Sequence, residues 1–125
     1  MRLMIVDDSM VIRNRIARLM NDTRFADLEI VGLAGDGHQA LAIGRSKRPD
    51  LITMDLTMPN MDGEQCIGEL VRFLPDARIL VVSALSDKAT ALRAVSRGAH
   101  GFLHKPFRDE ELAHLNTWLN RRVAE

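Results

Sequence analysis

The sequence predicts an α/β fold in which a parallel sheet carries helices on both faces. Five short apolar runs alternate with longer segments whose apolar residues recur at helical spacing. The runs are continuously apolar, as expected of strands that are covered on both faces. Turn pairs such as Asp36-Gly37 and Asp62-Gly63 separate these segments. The resulting order is βαβαβαβαβα, with right-handed crossovers between the strands.

Each predicted strand is an apolar run, and Val and Ile are frequent in the first, second and fourth runs. The five runs are Leu3–Val6, Leu28–Leu33, Leu51–Met54, Ile79–Val82 and Gly101–Leu103. In the predicted helices, apolar residues at helical spacing form a stripe along one face. They are Ile12, Ile16, Leu19 and Met20 in the first helix; Ala40, Leu41 and Gly44 in the second; Cys66, Ile67, Leu70 and Leu74 in the third; and Leu112, Leu115, Leu119 and Val123 in the fifth. Leu92 and Val95 lie in the fourth helical segment, which also carries Lys88, Arg93 and Arg97.

Composition indicates one soluble domain over residues 1–125. A length of 125 residues suits a single domain. Lys plus Arg number 17 and Asp plus Glu number 17, and this balance argues against a protein that coats nucleic acid through general basicity. The single cysteine, Cys66, excludes an internal disulfide, and no apolar stretch is long enough to span a membrane. We therefore expect a cytoplasmic protein without membrane insertion or direct nucleic-acid binding.

Polar residues follow four of the predicted strands. Strand 1 ends at Asp7-Asp8, strand 3 at Asp55, strand 4 at Ser83 and strand 5 at Lys105. Taken singly, each has a plainer interpretation, because an aspartate can cap a helix or form a turn and a lysine can be a solvated surface residue. Ligands of open α/β sheets bind outside the carboxyl ends of the strands, where all these side chains converge. The joint pattern therefore predicts a functional site at that edge.

Three carboxylates in one cleft favour a bound cation. Two carboxylates about 4 Å apart repel each other by about 4 kcal/mol at an effective dielectric constant near 20. A divalent cation relieves this repulsion, and Mg²⁺ commonly takes one or two carboxylates together with waters and a phosphate. A carboxylate beside Mg²⁺ and a lysine can also attack phosphorus and form an aspartyl phosphate. The residues thus favour Mg²⁺-dependent phosphoryl chemistry.

Five separated stretches resemble the CheY-like receiver domain of two-component response regulators. They are LMIVDDSMVIR, GDGHQAL, PDLITMDLTMPNMDG, ILVVSAL and GAHGFLHKPF, and together they extend over nearly the whole chain. The resemblance implies a flavodoxin-like (βα)5 fold with a doubly wound, five-stranded parallel sheet in the order 2-1-3-4-5. It also implies a phosphorelay switch that catalyses only its own phosphorylation and dephosphorylation, rather than an enzyme with other substrates.

The resemblance assigns the acidic residues to metal binding and phosphoryl transfer. Asp55 corresponds to the phosphoacceptor, and Asp8 and Asp55 correspond to side-chain ligands of Mg²⁺ or Mn²⁺. The backbone carbonyl of Thr57 would be a third ligand, and Asp7 would support the metal through water. The implied phosphoryl donor is a histidine kinase, a phosphotransfer protein or a small phosphodonor.

The resemblance assigns the other strand ends to the switch. Ser83 would bond a phosphoryl oxygen, and Lys105 would pair with Asp55 and then with the phosphoryl group. Phe102 takes the place of the switch aromatic, and the Lys105-Pro106 peptide bond is cis in the family. Helix 4, strand 5 and helix 5 would form the output face that binds a protein target. The implied state is a monomer or a phosphorylation-dependent dimer.

Several positions bear on the pathway and on the lifetime of the phosphoryl group. The Asp-Asp-Ser start followed by Arg13 is close to the chemotaxis subgroup, whereas Phe102 lacks the hydroxyl of the tyrosine that is common there. Thr57 and Leu85 occupy the two family positions that tune loss of the phosphoryl group. Because Leu85 is apolar and cannot orient a water, autodephosphorylation is predicted to be slower than in a Leu85→Glu variant.

Three alternatives stay open at this point. Gly35–Ala40 matches the dinucleotide pattern G-x-G-x-x-A, although a helix N-cap is the preferred role for Asp36. The stretch after strand 3 resembles the start of an aspartate-nucleophile phosphatase motif, but Thr57 stands where those phosphatases place a second aspartate. The chain can also be the receiver part of a longer regulator from which a DNA-binding or enzymatic domain was removed.

The remaining reactive side chains have structural interpretations. The histidines lack a metal-binding spacing and are expected to make local polar contacts; they are His38, His100, His104 and His114. The methionines near the site are expected to pack rather than bind a ligand; they are Met54, Met58 and Met61. Cys66 is expected to be a small buried apolar residue.

Overall fold

A computed structural model of the chain describes residues 1–21, 28–58, 60–85 and 88–114. The strands are β1 (Arg2–Val6), β2 (Glu29–Ala34), β3 (Leu51–Met54), β4 (Arg78–Ser83) and β5 (Gly101–His104). The helices are α1 (Met10–Met20), α2 (Gly37–Lys47), α3 (Gly63–Phe73) and α4 (Lys88–Arg97), followed by residues 109–114 of a further helix, α5. The predicted alternation of strands and helices is confirmed, and every strand end lies within one residue of the end of its apolar run.

The five strands form one parallel sheet in the order β2-β1-β3-β4-β5, which confirms the expected topology. Successive residues of a strand point to opposite faces, and both faces are buried, as the continuously apolar runs predicted. In β1, Met4 and Val6 pack with α2, α3 and α4, whereas Leu3 and Ile5 pack with α1 and α5. The sheet is therefore the middle layer of three.

Side chains cap the first three helices at their amino ends. Ser9 caps α1, because its hydroxyl accepts a hydrogen bond from the amide of Ile12 at 3.3 Å. Neither Asp7 nor Asp8 is therefore the residue that caps α1. Asp36 caps α2 through the amide of Gln39, and this confirms the role preferred for it over pyrophosphate binding.

The apolar stripes of α1, α2 and α3 face the core as predicted, but the fourth helix differs. Leu92 and Val95 are 59% and 57% exposed, whereas α4 buries Thr90 and Ala94. The large apolar residues of α4 therefore face outward, because the helix packs through its smaller residues. In α5, Leu112 is buried; the predicted stripe residues 115, 119 and 123 lie outside the described part of the chain.

The remaining structural expectations concern residues away from the strand ends. Cys66 and Met54 are fully buried in the core cluster that α3 lines, and Met58 and Met61 pack on that cluster. Burial raises the pKa of the Cys66 thiol to about 12, and nearby acidic groups reinforce the shift, so the thiol is unreactive at neutral pH. Within the described residues, each helix is too short or too polar to cross a membrane.

Candidate functional site

The carboxyl edge of the sheet brings together the residues that follow its strands. Asp7 follows β1, Asp55 follows β3, and Lys105 follows β5. The backbone amides of these three residues donate to carbonyls of neighbouring strands at 3.0, 2.9 and 2.8 Å, so the sheet's hydrogen-bond ladder extends one residue into the site. Ser83 is the last residue of β4 and is fully buried. The predicted convergence of these strand ends is therefore observed.

Three carboxylates form a compact cluster at this edge. Asp7, Asp8 and Asp55 each offer an oxygen, and these oxygens lie within 4.8 Å of one another. Asp7 and Asp55 are only 1% and 3% exposed, whereas Asp8 is exposed at the mouth of the site. Hard divalent cations such as Mg²⁺ prefer an all-oxygen donor set that keeps one side open to water and substrate. The donor set, its spacing and its opening therefore fit Mg²⁺.

Lys105 is the cation of the cluster, and it contacts two of the carboxylates. Its ammonium donates a hydrogen bond to Asp7 Oδ2 at 2.7 Å, and it lies 3.7 Å from Asp55 Oδ2. The resemblance implied the ion pair with Asp55, which is present; the shorter contact with Asp7 was not anticipated. The two carboxylates compete for one ammonium, and the more deeply buried Asp7 takes the shorter contact.

Backbone amides hold the other oxygens of the two buried carboxylates. Asp7 Oδ1 accepts a hydrogen bond from the amide of Ser9 at 2.9 Å, and Asp55 Oδ1 accepts one from the amide of Thr57 at 3.2 Å. These amides fix the orientation of both carboxylate groups. The second oxygen of each carboxylate is left facing Lys105.

The environment of Asp55 favours its neutral form. Burial raises the pKa of Asp55 to about 6, and the negative charge of Asp7 acts in the same direction. Lys105 and the amide of Thr57 oppose the rise, and a hydrogen bond with Asp8 adds to it. The carboxylate is therefore mostly ionised at neutral pH, but at a cost that an additional cation would relieve.

The two residues assigned to the switch lie beside this cluster on β4 and β5. The hydroxyl of Ser83 accepts a hydrogen bond from the amide of Leu85 at 3.1 Å, so it is engaged within its own loop. Phe102 is half-buried and packs on the core cluster shared with α3 and α4. The Lys105-Pro106 peptide bond is cis, as the resemblance implied.

Two arginine contacts near the site were not anticipated, whereas a histidine contact was. Arg13 donates to the backbone carbonyl of Asp7 at 2.7 Å, and Arg15 donates to the carbonyl of Phe107 at 2.7 Å. The ring of His104 contacts the carbonyl of Ala84 at 3.1 Å, which agrees with the local polar role expected for the histidines. Arg13 contacts the loop after β1, and Arg15 contacts the loop after β5. The hydrophobic periodicity that predicts helices and strands gives no information about such side-chain contacts with loops.

The chain is similar to known proteins over most of its length. Residues 3–116 match a family model described as the response regulator receiver domain. Chemotaxis protein CheY of Bacillus subtilis is 37% identical over 120 residues, which cover 95% of this chain and 98% of that protein.

Solved structures extend the similarity to three dimensions. The REC domain of AraT, a response regulator from Geobacillus stearothermophilus, has a TM-score of 0.90 at 26% identity and covers 98% of this chain and 95% of that one. A chain of the CheX-CheY-BeF3-Mg²⁺ complex from Borrelia burgdorferi has a TM-score of 0.85 at 26% identity, with 94% of this chain and 87% of that one covered. Both share the order of strands and helices described above.

Proposed function

The chain belongs to the response regulator receiver domain family, and from this membership we propose that it is a phosphorylation-activated switch in a two-component phosphorelay. The family interacts with histidine kinases and with output proteins. The observation that carries the proposal is the setting of Asp55, a buried carboxylate that lies 3.7 Å from the ammonium of Lys105 and beside two further aspartates. The proposed nucleophile, the Asp55 carboxylate, thus lies beside an ammonium that can compensate the charge of a phosphoryl group and beside aspartates that can bind a cation.

In the proposed reaction, an oxygen of the ionised Asp55 carboxylate attacks the phosphorus of a phosphohistidine on a partner protein, or of a small phosphodonor. An oxygen–phosphorus bond forms while the bond from phosphorus to the donor nitrogen or oxygen breaks. The electron pair of the broken bond leaves with the donor, which takes up a proton where its basicity requires one. The product is an aspartyl phosphate, and it carries more negative charge than the carboxylate it replaces.

The donor set proposed for Mg²⁺ is Asp8, Asp55 and the backbone carbonyl of Thr57, with Asp7 supporting the ion through water. When bound, Mg²⁺ or Mn²⁺ would neutralise charge on the phosphoryl oxygens and relieve the repulsion among the aspartates. The compact cluster of oxygens, within 4.8 Å of one another, supports this assignment. So does the presence of BeF3 and Mg²⁺ in the similar complex from Borrelia burgdorferi.

Two further residues are proposed to respond to the new charge. Lys105 needs only a small shift from Asp7 towards Asp55 to contact a phosphoryl oxygen. Ser83 would exchange its hydrogen bond from the amide of Leu85 for one to the phosphoryl group. The β4–α4 loop and Phe102 would follow, and the α4–β5–α5 face would change its affinity for a protein partner through a shift between existing states. Leu92 and Val95 give this face an exposed apolar surface.

An aspartate-nucleophile phosphatase is the second candidate function. The residue two positions after Asp55 distinguishes it from the phosphorelay switch. Hydrolysis of many phosphate esters needs an acid–base group near the nucleophile. The side chain two positions after Asp55 is that of Thr57, which cannot serve as a general acid or base. We therefore expect self-modification without rapid turnover of phosphate esters. Rapid, repeated hydrolysis of p-nitrophenyl phosphate would revive the phosphatase.

Incubation with acetyl phosphate tests the proposed function directly. We expect intact-mass spectra of the wild type to gain one phosphoryl group in Mg²⁺, and to gain none in EDTA. Asp55→Asn should gain none in either buffer, whereas the exposed control Asp76→Asn should behave as the wild type. Modification that is independent of metal, or unchanged modification of Asp55→Asn, contradicts the proposal.

A further inference from the structure

We propose that Arg15 on α1 is a positioning residue for Lys105, a role that rests on the proposed function of the site. Arg15 reaches from α1 to the loop that follows β5, where its Nη2 donates to the backbone carbonyl of Phe107 at 2.7 Å. Phe107 lies two positions after Lys105 in the sequence. The contact therefore ties the loop that carries the site's ammonium to α1, the helix that packs with Phe107 and α5 in one core cluster.

Arg15 uses both the face and the edge of its guanidinium in this contact. The guanidinium carbon lies 4.3 Å from the centre of the Phe107 ring, at stacking distance. Its Nη2 and Nε donate to Asp109 Oδ1 at 2.7 and 3.2 Å. The guanidinium of Arg15 thus contacts the ring and the carbonyl of Phe107 and the carboxylate of Asp109, the first residue of α5. A lysine has no planar fork and cannot reproduce all of these contacts.

The backbone around Lys105 is held on both sides. On its amino side, the amide of Lys105 donates to the carbonyl of Ser83 at 2.8 Å and so belongs to the sheet. On its carboxyl side, Arg15 holds the carbonyl of Phe107. The backbone of Lys105 and Pro106 lies between these two hydrogen-bonded groups, the amide of Lys105 and the carbonyl of Phe107. The backbone of Lys105 therefore has little conformational freedom.

This anchoring matters because the two carboxylates around Lys105 differ little in distance. Its ammonium lies 2.7 Å from Asp7 Oδ2 and 3.7 Å from Asp55 Oδ2. A loop displacement on the order of 1 Å is therefore enough to change which carboxylate it contacts, and displacements of that size are costly for catalysis. We infer that Arg15 sets the reach of Lys105 without touching the phosphoryl group.

Chemical labelling of lysines tests the positioning without metal or phosphate. The chain has only three lysines, and Lys47 and Lys88 are exposed and serve as internal references. Arg15→Met keeps an unbranched apolar stem over Phe107 and removes the hydrogen bonds. Arg18, an exposed arginine about one turn after Arg15 in the same helix, provides the matched control Arg18→Met. The readout is the acetylation rate of each lysine in EDTA, measured by peptide mass spectrometry.

We expect Lys105 to be acetylated about threefold faster or more in Arg15→Met than in the wild type, since loss of a hydrogen bond to a charged group loosens the loop. Lys47 and Lys88 should not change, and Arg15→Lys should give an intermediate rate. Equal acetylation of Lys105 in Arg15→Met and Arg18→Met overturns the proposal. Equal acceleration at all three lysines also overturns it, because that pattern indicates general loosening.

Phosphorylation by acetyl phosphate at saturating Mg²⁺ then separates this inference from the proposed function. We expect Arg15→Met to be phosphorylated about tenfold more slowly than Arg18→Met, because Lys105 is no longer held where charge develops. A wild type that is never modified at Asp55 refutes the proposed function. A wild type that is modified, beside an Arg15→Met variant modified at the same rate, refutes the role of Arg15 alone.

Discussion

Lys105 donates its short hydrogen bond, of 2.7 Å, to Asp7, and the carboxylate proposed to accept the phosphoryl group is the more distant one, at 3.7 Å. The ammonium thus compensates a deeply buried charge that has no other cation in contact among the described residues. Asp55 makes only the longer contact with this ammonium, which is compatible with its proposed role as the phosphoacceptor. Lys105 therefore stabilises the buried charge of Asp7 in this structure, and its proposed contact with a phosphoryl group requires a small shift.

Removing the ammonium is therefore expected to destabilise the metal-free fold. We predict that Lys105→Met lowers the free energy of unfolding by about 3 kcal/mol at pH 7 in EDTA, because it leaves the buried Asp7 carboxylate without the cation that compensates its charge. Mg²⁺ should restore more stability to the variant than to the wild type. Urea denaturation with and without Mg²⁺ measures both effects, and Lys88→Met is the exposed control. An equal loss in both buffers contradicts this prediction.

The raised pKa of Asp55 predicts that an uncharged residue stabilises the fold. The pKa rises from 3.8 to about 6 on folding, so the folded state holds a proton that the unfolded state has released. The contribution of this group to stability therefore falls as pH rises from about 4 to about 6. We expect Asp55→Asn to be about 1–3 kcal/mol more stable than the wild type at pH 7.5 in EDTA.

This advantage of Asp55→Asn should become small at pH 4, where the carboxyl is protonated in the folded state and partly protonated in the unfolded state. It should also shrink in Mg²⁺, which relieves the same repulsion in the wild type. Urea denaturation at the two pH values provides the comparison. A variant less stable than the wild type at pH 7.5 would show that ionised Asp55 is not a burden on the fold.

His100 gives a pH dependence of the opposite sign. Its Nδ1 accepts a hydrogen bond from the amide of Ile79 at 3.1 Å, and a protonated ring cannot accept it. Burial lowers the pKa of His100 below its ordinary value of 6.5, and the charge of Arg78 adds to this. Its contribution to stability is therefore present above pH 6.5 and lost as pH falls through the lowered pKa.

We expect the wild type to lose more stability between pH 7.5 and pH 5 than His100→Gln, because the glutamine at position 100 does not titrate. The exposed His38 offers a matched control, and His38→Gln should follow the wild type. Urea denaturation of the three proteins at both pH values decides the matter. Parallel losses in all three mean that the Ile79 contact is not the acid-sensitive one.

Gly63, the first residue of α3, allows the helix to approach the site. A Cβ at this position would lie 2.5 Å from the Cα of Leu56 and closer still to the carbonyl oxygen of Asp55. Neither backbone atom can give way without moving the nucleophile. We expect Gly63→Ala to cost about 2–4 kcal/mol of stability, as overpacking of a rigid core does, and to weaken Mg²⁺ binding.

Gly68 lies in the same helix and is the matched control for Gly63. A Cβ there meets only the side chain of Arg97, at 3.6 Å, so Gly68→Ala should gain up to about 1 kcal/mol from helix propensity. Thermal and urea denaturation measure both stabilities, and calorimetric titration measures the binding of Mg²⁺. Changes of the same sign in the two variants contradict the steric explanation.

Leu85 bears on the lifetime of the phosphoryl group. Its side chain is 42% exposed, and its amide donates to Ser83, so a longer polar side chain at this position can extend towards the site. A carboxylate there can orient a water for attack on phosphorus, and an apolar side chain cannot. We expect Leu85→Glu to lose its phosphoryl group about tenfold faster, or more. Decay is followed by intact mass after removal of acetyl phosphate; equal decay rates of the two proteins contradict the prediction.

The sequence predicted the topology and the convergence of charges because both follow from the order of strands. The apolar runs define the strands, and the carboxyl ends of parallel strands lie at one edge of the sheet. Asp7, Asp55 and Lys105 therefore converge there, however the helices pack. The shorter contact of Lys105 with Asp7 was not predictable, because the distances to the two carboxylates differ by about 1 Å, a difference that depends on side-chain conformation. The packing of α4 through Ala94 was not predicted either, because small residues carry little hydrophobic signal.

The extension of the sheet's ladder into the site has a consequence for side-chain length. Neighbouring strands lie about 4.8 Å apart, so Asp55 after β3 and Lys105 after β5 are separated by the width of β4. The short side chain after β3 can contact the side chain after β5 only if the latter is long. The side chain at the end of β4 must also be small, because the long side chain passes over it. Ser83, at the end of β4, meets that condition. Strand spacing thus sets the size of each side chain at this edge, independently of its charge.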